Sequence, residues 1–261
     1  MELVKLLILE GFFLSLIVGV IGTLIVLTNS ASLTGSVSHA NFGAVGLSFY
    51  LGIPAPFIPV VIAGFSGLIG AILATIILYL PHRRESLING VWAIGMGSGI
   101  LFISLGGIQN GEVMSYLFGN LLFITPYQLG ITAGIAGIAL FLLPIGKIVL
   151  HLTYDHPFLQ LRGVKSGLLY SLYLIFTSVI IGALVQIVGI ILLLALFTLP
   201  PLIAERFVQR FYPLVFTTMG VTFGAMVLSI LLSYVYPIPL LPVVAIVLAV
   251  ILIGVMVFKR G

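Results

Sequence analysis

Runs of about twenty apolar residues recur along this chain, and each is long enough to cross the hydrocarbon of a bilayer as one α-helix. Six or seven runs qualify: Leu3–Thr28, Phe57–Leu80, Ser86–Gly106, Tyr127–Leu150, Ser166–Gln186, Pro213–Tyr236 and Ile238–Phe258. Two shorter segments join them. Ser36–Ile53 is Gly-rich and is followed by Pro54 and Pro56; Ile187–Leu199 ends at Pro200-Pro201. Of the 261 residues, 61% are hydrophobic and only 6% charged, whereas a soluble domain carries about a quarter charged residues. A soluble globule is therefore excluded. The expected fold is all-α: a polytopic transmembrane helical bundle of about eight or nine spans with short broken helices, in one permease domain over residues 1–261. The first run is too long for the apolar core of a signal peptide and reads as a spanning helix.

The chain has no cysteine, which excludes disulfides and thiolate metal sites. Its net charge of +4 raises a nucleic-acid reading. Nearly all of its Lys and Arg residues, however, stand at the ends of apolar runs, where membrane orientation accounts for them. Arg83/Arg84, Lys147 with Arg162/Lys165, Arg206/Arg210 and Lys259/Arg260 are expected on the cytoplasmic side. With nine spans, that places the N-terminus outside and the C-terminus in the cytoplasm. Short segments interrupted by Gly and Pro, such as Ser36–Ile53 and Ile187–Leu199, mark transport sites in some membrane carriers. Glycines at small-residue spacing (Gly64, Gly67 and Gly70; Gly95 and Gly99; Gly130 and Gly134) let helices approach closely, within one subunit or across a dimer seam. No stretch matches the P-loop pattern G-x-x-x-x-G-K-[ST]. If this protein is part of a pump, the ATPase is on another chain.

Few side chains can carry chemistry. Glu10 is the one acid inside an expected span, and an ionisable group at such a depth is a functional candidate. The alternative is that it reaches water near Lys5. His39 precedes an apolar segment, and imidazole is a common transition-metal ligand. Alone it reads equally as a hydrogen-bonded packing residue. Ser36 and Ser38 flank it. Glu112, in "GEVMSYLFGN", falls on the outer side, where it would attract an arriving cation. The longest polar stretch on the cytoplasmic side, within about residues 151–166, opens with Asp155 before Pro157 and closes with Gly163. That pattern describes a short exposed helix with Phe158 as an apolar knob and Arg162 as a charge. It is either a connector or a docking helix for a partner.

These pieces together resemble the membrane subunits of the zinc/manganese/iron family of ABC transporters. "SHANFGAVGL", "EVMSYLFGN" with "LLFITPYQL", "DHPFLQLRG" and "VGIILLLALFTLPPLIAERF" follow the family's order over nearly the whole chain. The resemblance implies a BtuC-like importer architecture and a homodimeric permease, a transport subunit and not itself an enzyme. It implies a cytoplasmic ATP-binding subunit docked through Asp155, Phe158, Arg162 and Gly163, and an extracytoplasmic metal-binding protein. No cofactor would be bound by this chain; ATP would sit on the partner. The substrate path would run past His39, Ser36, Ser38 and Glu10, with His39 touching the metal transiently. The expected location is the inner or plasma membrane of a prokaryotic cell. One departure stands out. The family usually carries Asp four residues before this histidine, a spacing that stacks both side chains on one helix face, and here that residue is Gly35. A metal chelate or organic cofactor is therefore a second cargo class, and an ATP-independent secondary carrier using Glu10 a third reading.

Overall fold

The computed structural model describes residues 2–106, 116, 117, 119, 121, 124–155, 159 and 161–258. Helices account for nearly all of them, and no strand occurs among the described residues. We number the helices α1 (Glu2–Leu27), α2 (Ala31–Tyr50), α3 (Ile58–Tyr79), α4 (Arg84–Gly106), α5 (Pro126–Leu142), α6 (Gly146–Tyr154), α7 (Ser166–Val188), α8 (Ile190–Glu205), α9 (Phe211–Val235) and α10 (Leu240–Phe258). Six of these are long and apolar enough to cross a membrane, or seven if the bent pair α5–α6 counts as one. That agrees roughly with the expected eight or nine. The two helices left outside that count, α2 and α8, are the two segments that the sequence already marks as short or broken.

Two boundaries differ from expectation for identifiable reasons. Tyr127–Leu150 reads as one run, but α5 and α6 meet at 63°. Pro144 lies at the break, with no N–H to continue the ladder. There the chain tightens into i→i−3 bonds, Ile145 N–H donating to Leu142 and Gly146 N–H to Leu143. The helix around His39 starts at Ala31 rather than near Ser36. Thr34, Gly35 and Ser36 resemble loop residues in sequence, yet all three are buried within the helix.

The chain forms two compact units. The first holds residues 1–29, 120–147 and 194–261. In it α1 packs on α5 and α9, and α10 packs on α9. Val18–Gly22 of α1 forms a π-helical turn, fully buried. Gly22 there faces the Phe197 carbonyl: a Cβ at Gly22 would lie 3.3 Å from that oxygen. Pro200 and Pro201 sit inside α8 and supply no N–H, so the Leu196 and Phe197 carbonyls lack their i+4 partners. Thr23 Oγ1 donates to Thr218 Oγ1 at 3.2 Å.

The second unit holds residues 30–119 and 148–193. Its central contact is α2 against α4. A Cβ on Gly46 would sit 2.5 Å from the Gly99 carbonyl oxygen, and one on Gly99 would sit 2.5 Å from the Phe42 carbonyl oxygen. Gly95 meets Ala40 more closely still. Only glycine permits two backbones so near each other. On another side α3 packs on α7, with Gly70 against Ile175 and Ser178. Gly64, Gly130 and Gly134 have no such neighbour within 4 Å. The small-residue spacing thus serves packing within this chain at Gly70, Gly95 and Gly99. Ala44, Val45, Ile58, Ile62 and Tyr116 form an apolar core nearby.

Candidate functional site

His39 lies mid-helix in α2, partly buried. Its Nδ1 stands 2.8 Å from the Gly35 carbonyl oxygen, one turn back. A carbonyl only accepts, so Nδ1 carries the proton and donates. Nε2 is then left with the lone pair, the form in which imidazole binds a metal. The Trp92 indole from α4 lies against the imidazole, with ring centroids 4.2 Å apart and planes at 38°. Trp92 Nε1–H donates to Met96 Sδ at 3.4 Å. Trp92 and Met96 are also partly buried.

The flanking serines divide. Ser36 Oγ donates to the Ile88 carbonyl of α4 at 3.0 Å, so it fastens the two helices together. Ser38 Oγ is fully buried and has no hydrogen-bond partner among the described residues. Deeper in the same unit, Asn41 Oδ1 lies 2.9 Å from Ser66 Oγ of α3, against Gly182 of α7. This junction fixes α2 between its neighbours and holds the turn that carries His39.

Glu10 belongs to the first unit and is fully buried in α1. It does not reach Lys5, which pairs instead with Glu2 at 2.9 Å. Thr132 of α5 donates to Glu10 Oε1 at 2.8 Å, and Oε2 has no partner among the described residues. A second feature of this unit escaped the sequence reading. Leu27, Glu205, Val208, Gln209 and Leu214 line a cavity of about 320 Å³. In sequence Glu205 is merely an acid at a helix end.

At the end of α6, His151 Nδ1 donates to Asp155 Oδ2 at 2.9 Å. Leu159 N–H donates to the Asp155 carbonyl at 3.0 Å. Gly163 takes φ +76°, and Val164 N–H reaches back to the Leu159 carbonyl at 3.0 Å. That is a left-handed helix stop of the kind its glycine predicts. Arg162 lies in this turn. Phe158 and Glu112 lie outside the described residues. Among the described residues no three His, Asp or Glu side chains gather in one place. Trp92 was missed because its contact with His39 crosses two helices.

Helices of membrane-crossing length, broken at Pro144 and at Gly189, define an integral membrane protein. Residues 1–259 match the ABC 3 transport family, and the chain belongs to it. A Chlamydia pneumoniae protein named as a probable metal transport system membrane protein is 32% identical over 243 residues, covering 87% of this chain and 79% of that one. The manganese import system permease protein ScaB of Streptococcus gordonii is 26% identical, covering 87% of this chain and 80% of its own. The fold is similar to PsaBC from Streptococcus pneumoniae, solved in complex with Fab. The TM-score is 0.82 at 20% identity, over 98% of this chain and 91% of that one.

Proposed function

We propose that this chain is the permease subunit of an ABC importer that moves a divalent transition-metal ion inward. The observation that carries the reading is His39, held mid-helix in α2 with Nδ1–H on the Gly35 carbonyl, which leaves the neutral ring's lone pair on Nε2. Family membership and relatives named for metal transport support it. A metal chelate or organic cofactor is the less favoured cargo, because nothing in those names points to one.

The mechanism is alternating access. Two copies of the chain form the path, which opens outward to receive the ion from an extracytoplasmic binding protein. It then opens inward as a separate ATPase cycles. His39 Nε2 holds the ion briefly, and sparse ligation favours release. The turn from Asp155 to Gly163 docks the ATPase on the cytoplasmic side, where the C-terminus also lies. The His151–Asp155 pair and the left-handed Gly163, at the two ends of that stretch, support this reading. The host membrane is the plasma or inner membrane of a prokaryotic cell.

Reconstitution with the ATPase and binding protein tests this reading. ATP-dependent uptake of labelled zinc or manganese is expected, and His39→Ala should reduce it at least about tenfold while dimer yield stays the same. Uptake of some other solute with neither metal moving would refute the metal assignment.

A further inference from the structure

Glu10 is the one fully buried carboxyl among the described residues, and it sits in a helix of membrane-crossing length. No base is at hand to neutralise it. Helices α5, α8, α9 and α10 of the same unit contain no Lys, Arg or His. The base on its own helix, Lys5, is exposed and pairs with Glu2 at 2.9 Å. The other titratable groups on these helices stand at helix ends: Tyr127 opening α5, Glu205 closing α8, and Tyr212 and Tyr234 near the two ends of α9. Hydroxyls on α1 and α9 donate within their own helices, Ser15 to the Phe12 carbonyl, Thr222 to Thr218 and Ser229 to Ala225. Among the described residues the carboxyl meets Thr132 alone: Oε1 stands 2.8 Å from Thr132 Oγ1, and Oε2 has no partner. A carboxylate left with one neutral neighbour and one bare oxygen in an apolar interior is very costly.

We propose that Glu10 is a proton-binding site whose neutral carboxyl fastens α1 to α5, a contact that weakens when the proton is lost. The Thr132 geometry fits the neutral form. The Thr132 hydroxyl oxygen is also 3.2 Å from the Gln128 carbonyl of its own helix. A hydroxyl offers one hydrogen and accepts on its lone pairs. With a proton on Oε1, the carboxyl donates to Thr132 and the Thr132 hydrogen turns to Gln128, so each hydrogen has an acceptor. Oε2 is then a carbonyl oxygen, and a buried carbonyl oxygen without a partner is tolerated far better than a bare carboxylate. A metal ion fits less well, because hard cations take about six oxygen ligands and Thr132 is the one polar neighbour. The proton has a short way in. Thr132 lies about 9 Å along the helix from Pro126, where α5 begins. Gln128 is half-buried and Thr125 exposed. Release breaks the carboxyl O–H bond, passes the proton to water and leaves an uncompensated charge between α1 and α5.

Infrared spectroscopy of the purified full-length chain, in dodecyl maltoside at neutral pH, tests the proton directly. The expected result is the carbonyl stretch of a neutral carboxylic acid, shifted in D2O and missing from Glu10→Gln. An SDS titration in mixed micelles then reads stability against pH. The unfolded chain gives up this proton in the ordinary carboxyl range, near about pH 4.3, while the folded chain keeps it. Relative to Glu10→Gln, the parent's folded-to-unfolded ratio should therefore fall about tenfold per pH unit from about pH 5 upward, until the folded chain also releases the proton. If Glu10→Gln does not fold, Glu10→Leu combined with Thr132→Val is the reference in both measurements. The proposal is overturned if the parent lacks the acid carbonyl band at neutral pH, or if the ratio is flat or rises with pH. It is overturned equally if sodium chloride in place of choline chloride abolishes the band, since a metal ion would then be compensating the carboxyl.

Discussion

At the scale of single residues, burial decides what Glu10 means. A carboxyl with one oxygen on Thr132 and the other without a partner among the described residues depends on that single donor. Thr132→Val removes it and should destabilise the protein by about 1–3 kcal/mol, read as a lower thermal midpoint in detergent. Combining Thr132→Val with Glu10→Leu makes both sides apolar, so most of the loss should return. If the double variant is stable but no longer transports, Glu10 serves the path. If it transports normally, Glu10 is a packing residue. The sequence showed Glu10 as an intramembrane acid but could not name Thr132, which lies 122 positions away. It showed His39 and the missing aspartate at Gly35. It did not reveal the hydrogen bond that fixes the imidazole, because that depends on the residues from Ala31 onward being helical.

At the scale of elements, the α2–α4 contact governs the His39 face. Gly46→Leu or Gly99→Leu would force the backbones apart. Overpacking of this kind costs about 1–3 kcal/mol and more where backbone, not side chain, must yield. The expected readouts are a lower thermal midpoint and a shifted Trp92 emission, since the imidazole–indole stack depends on that spacing. Gly64→Ala is the control, with no atom within 4 Å of the added carbon, and should change neither. The long helices were legible because apolar runs of membrane length have few other ways to fold. The break in α5–α6 was legible in principle through Pro144 and Gly146, but a window scanned for apolarity passes over a single proline. The pairing of α2 with α4 was half-legible. Gly95 and Gly99 announced a close approach without saying to what.

For the molecule as a whole, the transport reading separates the ion path from the ATPase contact. Gly163 tests that separation. An alanine there is strained at φ +76° and should distort the Asp155–Gly163 turn. Gly163→Ala is expected to lower ATPase stimulation in the reconstituted complex several-fold while leaving the thermal midpoint in detergent unchanged. A fall in both together would mean that the substitution disturbs the fold rather than the coupling. The outer surfaces of α4 and α10 support a membrane setting in another way: in each, only 17% of the most apolar window is buried within the chain. Ile94, Ile100, Leu101, Ile246, Val250 and Ile253 are all exposed. In water such faces would aggregate, whereas lipid tails or a second copy would cover them.

The polarity of α2 has a consequence for how the protein is made. Its 20 residues span about 30 Å, the thickness of the hydrocarbon, but they include Ser36, Ser38, His39, Asn41 and Ser48. A helix with that many hydrogen-bonding groups partitions poorly into lipid alone. In the finished protein Ser36 Oγ donates to α4 and Asn41 Oδ1 accepts from Ser66 of α3, both synthesised later. Entry of α2 into the bilayer is therefore expected only once those helices have emerged. A nascent chain ending just after Tyr50 should leave it outside the bilayer, and one extended past Gly106 should draw it in.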